Sequence, residues 1–310
     1  MIIPQNVLEE VKKAVVGKDE VLSMALAAIL ARGHILLEDM PGVGKTTMAL
    51  AFSRALGLDY RRMQFTPDVL PSDVVGFSVF DKQTGEMIYK PGAILCNLFL
   101  ADELNRATSR TQSALLEAME EGNVTVDGVT HAIPDPFVVI ATQNPVGASG
   151  TQLLPDSQLD RFMVRLSLGY PSHEDELELL RRKQASGNML DDVDRVVDFN
   201  GINDMRREVD EIYVDPKIFE YAVRLSDATR KHVSLQQGAS PRATLAVIAM
   251  AKANAWLTGR DYVIPADIKA IYPATVTHRL ILTTEAKASG IRAENVISEV
   301  LLQTQPPQAR

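Results

Sequence analysis

The stretch HILLEDMPGVGKTTMAL, residues 34–50, constrains this chain more than any other. An apolar run leads into a glycine-rich loop, and a helix-like segment follows. The loop carries Pro41, Gly42, Val43, Gly44, Lys45 and Thr46, with Thr47 behind them. Glycines let backbone N–H groups approach a phosphate closely, and the start of a helix presents a partial positive charge to it. A lysine there adds a charge for the β and γ oxygens, and a hydroxyl next to it can ligate Mg²⁺. The strict pattern G-x-x-x-x-G-K-[ST] is met except at its first position, where Asp39 stands. A plain strand–turn–helix with a surface lysine is the competing reading. The strand and helix context favours the phosphate loop, and the loop by itself supports nucleotide binding.

A strand that feeds such a loop belongs in a parallel sheet. Short apolar runs at 34–37, 98–101 and 137–142 read as buried strands, each ending in polar residues. They alternate with helix-like segments up to about residue 170, which predicts an α/β fold with helices on both faces of a parallel sheet. Folds of this kind hold ligands at the carboxyl ends of the strands. After Tyr170-Pro171 helical periodicity takes over, at 174–185, 216–231, 241–258 and 265–278, with no clear strand. The expectation is an α/β domain over 1–170 and a smaller all-helical domain over 171–310, with Gly169 and Pro171 as breakers at the junction. Hydrophobic residues make up 46% of 310, enough for either one large or two ordinary cores. Two hairpins are predicted within the first domain, at 73–91 and at 124–133. The second turns at Asp127-Gly128, a type I′ signal.

Two further runs end in chemistry. NLFLADELNR, residues 97–106, delivers Asp102 and Glu103 at the end of a strand. Alternation along a strand points successive side chains apart, so Asp102 can serve Mg²⁺ through water while Glu103 polarises an attacking water. An acidic pair starting a helix is the competing reading. VVIATQNP, residues 138–145, ends in Thr142, Gln143 and Asn144, where an amide can orient water. Asn-Pro is equally a turn signal.

Composition narrows the function class. The net charge is −8 and no run of lysine and arginine exceeds three residues, against a general nucleic-acid binder. Cys96 is the single cysteine, which excludes an intrachain disulfide and fits a reducing cytoplasm. Its apolar surroundings predict a small buried hydrophobe, and Trp256 is expected in the helical core. The five histidines show no metal-ligand spacing. The start lacks the shape of a signal peptide, and no stretch approaches the roughly 20 apolar residues of a membrane helix. The expectation is a cytoplasmic protein without membrane insertion.

In this order the motifs resemble the AAA+ ATPases, and more closely the MoxR family. VVGKDEV at 15–21 is similar to the nucleotide-base segment, through Val16 and Gly17. LLEDMPGVGKT at 36–46 resembles the family's Walker A, in which an acidic first residue is a variant. FTPDVLPSDVVG at 65–76 resembles the entry to an extra insertion, and LADELNRATSRTQSALLEAMEEGNVTVDG at 100–128 resembles Walker B with the helix after it. ATQNP at 141–145 looks like sensor 1, and SPRAT at 240–244 like sensor 2. LLPDSQLDRF at 153–162 and GYPSHEDE at 169–176 follow the family pattern, with Asp156 where glutamate is usual. The match spans nearly the whole chain.

The resemblance implies an AAA+ P-loop core with a small all-helical lid domain, and ATP with Mg²⁺ as ligands. It implies Thr46 and Asp102 at the metal, Glu103 and Asn144 at the lytic water, Arg161 as an arginine finger reaching a neighbouring subunit, and Arg242 as sensor 2 in cis. Independently, Ser240-Pro241 fits a helix start, which places Arg242 in a first turn. Asp160-Arg161 reads as easily as a local ion pair. The two hairpins would be the helix-2 insert and the pre-sensor-1 hairpin. The implied function is ATP hydrolysis in an oligomeric ring, most simply a hexamer, coupled to chaperone-like remodelling of protein complexes, with von Willebrand A domain proteins as partners. Two other classes stay open: a nucleic-acid motor, and a nucleotide-gated binding module with little turnover.

Overall fold

Why the central strands are so apolar is plain from where they lie. In the computed structural model, which describes residues 4–144 and 154–307, the chain packs as two units. The first comprises 1–22, 34–154 and 167–203, the second 23–33, 155–166 and 204–310. In chain order the elements begin with α1 (Pro4–Ala14), α2 (Asp19–Leu30), β1 (Ile35–Glu38), α3 (Lys45–Ala55), β2 (Tyr60–Gln64), α4 (Pro71–Val75), β3 (Gly76–Phe80), β4 (Met87–Pro91) and β5 (Leu98–Asp102). There follow α5 (Ser109–Glu121), β6 (Asn123–Val126), β7 (Val129–Ala132) and β8 (Val138–Gln143). α6 (Asp156–Leu159) and β9 (Val164–Leu166) belong to the second unit, and α7 (His173–Ser186) to the first.

Within the first unit β2, β5, β8 and β1 lie side by side in that order, all parallel. β5 and β8 are buried at every residue, as strands covered on both faces must be. The three strands expected from apolar runs are present, each ending one residue later than expected, at Glu38, Asp102 and Gln143. β2 was not expected: its sequence, YRRMQ, lies at the sheet edge and keeps its arginines exposed, so no apolar run marks it. Cys96 is fully buried, and burial pushes its thiol up to about 12.

The hairpin of β6 and β7 turns on Asp127 at φ 50° and Gly128 at φ 78°, the signs a type I′ turn needs. The hairpin of β3 and β4 starts at Gly76, not at residue 73 as expected. Residues 71–75 form α4 instead, because Pro71 suits a first helical turn and the Asp73 carboxylate accepts the Leu70 N–H at 2.8 Å.

The second unit also holds α8 from Asp204 on (Phe199–Glu211), α9 (Pro216–Arg230), β10 (Leu235–Gln237), α10 (Pro241–Leu257), α11 (Pro265–Val276), β11 (Ile281–Leu282), α12 (Thr284–Ala288) and α13 (Ala293–Gln303). Asp215 and Ser240 cap helices that open on proline. Tyr221, Leu225, Val247, Met250, Ile271 and Tyr272 form its core. The expectation of no strand is corrected by the short antiparallel pair of β10 and β11. Trp256 is half-buried rather than core, because its indole N–H reaches Glu208 at 3.0 Å. No helix among the described residues is long and apolar enough to cross a membrane.

Candidate nucleotide site

β1 ends at Glu38, and the loop that follows turns through Gly42 at φ 87° and Gly44 at φ 99°. Both dihedrals lie where L side chains are strained. Nothing comes within 4 Å of a Cβ built on either glycine, so the backbone here borders open space. Gly44 caps α3, and Lys45 is its first residue. The Lys45 ammonium donates to the backbone carbonyls of Asp39 at 2.7 Å and Met40 at 3.4 Å. Burial pushes it below its ordinary value, and the charges of Asp39, Asp102 and Glu103 act the other way. A desolvated cation beside free helix N–H groups is suited to an anion.

Asp39 has a structural task that glycine could not perform. The residue is 5% exposed, and its carboxylate accepts the Ser167 hydroxyl at 2.7 Å, the Leu168 N–H at 2.7 Å and the Gly169 N–H at 2.9 Å. The loop is thereby tied to the segment leading into α7.

Asp102 closes β5. One of its oxygens accepts the Thr142 hydroxyl at 2.7 Å, and the other accepts Arg62 at 2.7 and 3.2 Å. Glu103 leaves the strand in the left-handed region, φ 55° and ψ 45°. That conformation costs a non-glycine residue roughly 1 kcal/mol or more and concentrates at functional sites. It is held by the Glu103 N–H donating to the Thr142 hydroxyl at 2.8 Å. The Glu103 carboxylate then accepts Asn144 Nδ2 at 3.3 Å and Arg106 at 2.7 Å. Asn144 Oδ1 is buried with no hydrogen-bond partner among the described residues. Glu103 and Asn144 line one cavity, where a carboxylate and an amide can each hydrogen-bond a water.

These groups share one cavity of about 390 Å³, lined by Pro41, Gly42, Gly44, Lys45, Thr46 and Thr47 on one side. Arg62, Gln64, Asp102, Glu103 and Asn144 line the other. Val16, Gly17 and Val43 are not among its lining residues. Val16 and Gly17 follow α1, with Gly17 at φ 68° against the Asp175 side chain. Arg161 and Arg242 are carried by the second unit, Arg161 half-buried after α6 and Arg242 exposed in the first turn of α10. Pro145, the last residue of ATQNP, and Leu153, the first of LLPDSQLDRF, lie outside the described residues. A second cavity, about 400 Å³ within the second unit, is lined by Phe219, Val223, Leu245 and Ile248 and has no such loop.

Arg62, Thr142 and Arg106 were missed as site residues. Arg106 was within reach of a sequence argument, three residues after Glu103 on one helical turn. Arg62 was not, because its strand carried no apolar signal.

The donor set fits a nucleotide with Mg²⁺. Thr46 and Asp102 supply the hard oxygens such an ion takes, and Lys45 with the loop N–H groups suits phosphate. Bound there, the metal would neutralise charge on the phosphate oxygens.

Residues 34–164 match the ATPase family associated with various cellular activities (AAA), and residues 227–300 match the AAA lid domain. The chain is 47% identical to the uncharacterized protein YeaC of Bacillus subtilis, over 98% of this chain and 94% of that one. It is 38% identical to chaperone MoxR1 of Mycobacterium tuberculosis, over 98% of this chain and 82% of the relative. A solved structure from Cytophaga hutchinsonii, 37% identical, superposes with a TM-score of 0.91 over 98% of this chain and 94% of its own. A phosphate loop at the head of a parallel sheet, two carboxylates and an amide beside it, a helical second unit and relatives of matching length agree: this chain belongs to the MoxR family of AAA+ ATPases.

Proposed function

We propose that this chain hydrolyses ATP with Mg²⁺ and uses the reaction to remodel or activate protein complexes. The observation that carries the reading is Glu103 hydrogen-bonded to Asn144 in the cavity that Lys45, Thr46 and Asp102 also line. Lys45 and the N–H groups around Gly42 and Gly44 bind the phosphates. Thr46 and Asp102 would hold the metal, which would supply positive charge to the phosphate oxygens. Glu103 and Asn144 orient the water that attacks the γ-phosphorus, and the bond to the ADP oxygen breaks as the new P–O bond forms. Val16 and Gly17 serve the base. Positioning and charge stabilisation account for such a reaction without a covalent intermediate.

The remaining charge is supplied by arginines of the second unit, Arg242 toward the nucleotide of its own subunit and Arg161 toward a neighbour's. Activity then needs a ring, and we read it as a hexamer. The division into a nucleotide domain over 1–170 and a lid over 171–310 belongs to this reading. The chaperone role follows the name of the Mycobacterium relative, and partners with von Willebrand A domains and a cytoplasmic setting go with the family.

The test is Glu103→Gln. The variant is expected to bind ATP within about twofold of wild type and to lose hydrolysis by at least about a hundredfold, as groups acting only in the transition state do. Equal turnover in the two proteins would remove Glu103 from the mechanism. Turnover without Mg²⁺ would remove the metal.

A further inference from the structure

Within the second unit two groups converge on the carboxylate of Asp160. The Ser240 hydroxyl lies 3.2 Å from each of its oxygens and donates to them. The Arg279 guanidinium stands 3.4 Å from one of them, with only 3% of that side chain exposed. Arg279 is also held from elsewhere: it donates to the Phe162 carbonyl at 2.8 Å, and the His278 ring meets the same carbonyl at 3.0 Å. Phe162 is itself fully buried. One buried guanidinium therefore hydrogen-bonds residue 162 and faces the carboxylate of residue 160 as an ion pair, on either side of Arg161.

The serine makes the second half of the link. Its hydroxyl oxygen accepts the Ala243 N–H at 3.1 Å as the N-cap of α10, while its proton goes to Asp160. Arg242 stands in the turn so capped. From Arg161 to Arg242 the connection is then one carboxylate, one hydroxyl and two short stretches of backbone. Burial pushes Arg279 down to about 10, with Asp160 acting the other way, so the clamp stays charged at neutral pH.

We propose that Asp160 is a positioning residue that sets Arg161 and Arg242 as one piece. The proposal rests on the reading of both arginines as nucleotide contacts. If Arg242 meets the nucleotide of its own subunit and Arg161 that of the next, a shift at either is passed to the other through this link. Coupling of this kind is reciprocal. Nucleotide loaded in one subunit thereby presets the hydrolytic site of its neighbour.

The experiment is a set of variants of the full chain. Ser240→Gly removes the hydroxyl from Asp160 while glycine remains an acceptable N-cap. Ser240→Thr keeps both bonds. Asp160→Asn keeps the acceptor but removes the charge facing Arg279. ATP affinity by fluorescent-nucleotide titration and turnover are measured for each, alone and combined with Arg161→Ala or Arg242→Ala.

Ser240→Gly is expected to keep ATP affinity within about twofold and to lose turnover about tenfold, the scale of a misplaced catalytic contact. Ser240→Thr should restore turnover. In either arginine background Ser240→Gly should cause no further loss, which an effect on stability alone would not produce. Asp160→Asn should behave as Ser240→Gly does, and if it fails to fold the serine series still decides. Wild-type turnover in Ser240→Gly, or losses that multiply with those of the arginine variants, would overturn the link alone. Wild-type protein without Glu103-dependent turnover would instead sink the hydrolysis reading, and this proposal with it.

Discussion

At the scale of single residues, Asp39 shows how a departure from a motif can be structural. The strict loop has glycine there, and substitution toward the pattern would be expected to help. The geometry argues the reverse. Asp39→Gly would leave a hydroxyl and two N–H groups of 167–169 without their acceptor. The expected loss is on the order of 3 kcal/mol, from hydrogen bonds to a charged group and the desolvation of orphaned donors. Urea denaturation measures it, and an unchanged midpoint would refute it. His278 gives a pH signature. Burial pushes its imidazole from 6.5 down to about 3, with Arg279 adding to the shift. The unfolded chain binds the extra proton between those values, so this group lowers stability as pH falls below about 6.5. The slope is at most about 1.4 kcal/mol per pH unit. His278→Gln is expected to flatten the acid limb of a stability–pH profile between pH 6.5 and 4.5, and parallel profiles would contradict the assignment.

At the scale of elements, legibility followed burial. β5 and β8 could be read because strands covered on both faces are continuously apolar, α9 and α10 because proline and a capping residue mark their starts, and α11 because proline opens it. β2 could not, being a polar edge, and α4 was taken into a hairpin because five residues carry too little period to distinguish helix from strand. The helix after the acidic pair offers a test. α5 is capped by Thr108, whose hydroxyl accepts the Thr111 N–H, and is followed by Gly122 with φ 64°. Thr108→Ala should cost about 1 kcal/mol and Thr108→Gly only a few tenths. The two melting temperatures give the comparison, and equal losses would assign the effect to packing instead of the cap.

At the scale of the whole molecule the reading predicts a composite active site. Arg161→Ala and Glu103→Gln proteins should each be nearly inactive, and mixing them should recover turnover, because a head-to-tail ring brings an intact Glu103 together with an intact neighbouring Arg161. Mixtures as inactive as their components would refute the action of Arg161 across subunits. The same assay with added DNA separates protein remodelling from a nucleic-acid motor. Strong stimulation that fades with salt would favour the motor, against the net charge of −8 and a hairpin tip of Asp127 and Gly128.

By itself the sequence determined the class of fold, the family, and the loop, carboxylates and amide on which the proposed chemistry rests, because phosphate binding and strand burial each demand particular residue types at short spacing. Only the tertiary structure decided how those residues are held. Thr142 fixing Asp102 and the turned backbone of Glu103, Arg62 and Arg106 on the two carboxylates, Asp39 on 167–169, and Asp160 between Ser240 and Arg279 each join parts of the chain that spacing cannot relate. A hydrogen bond depends on distance in space, and over tens of residues that distance is set by packing.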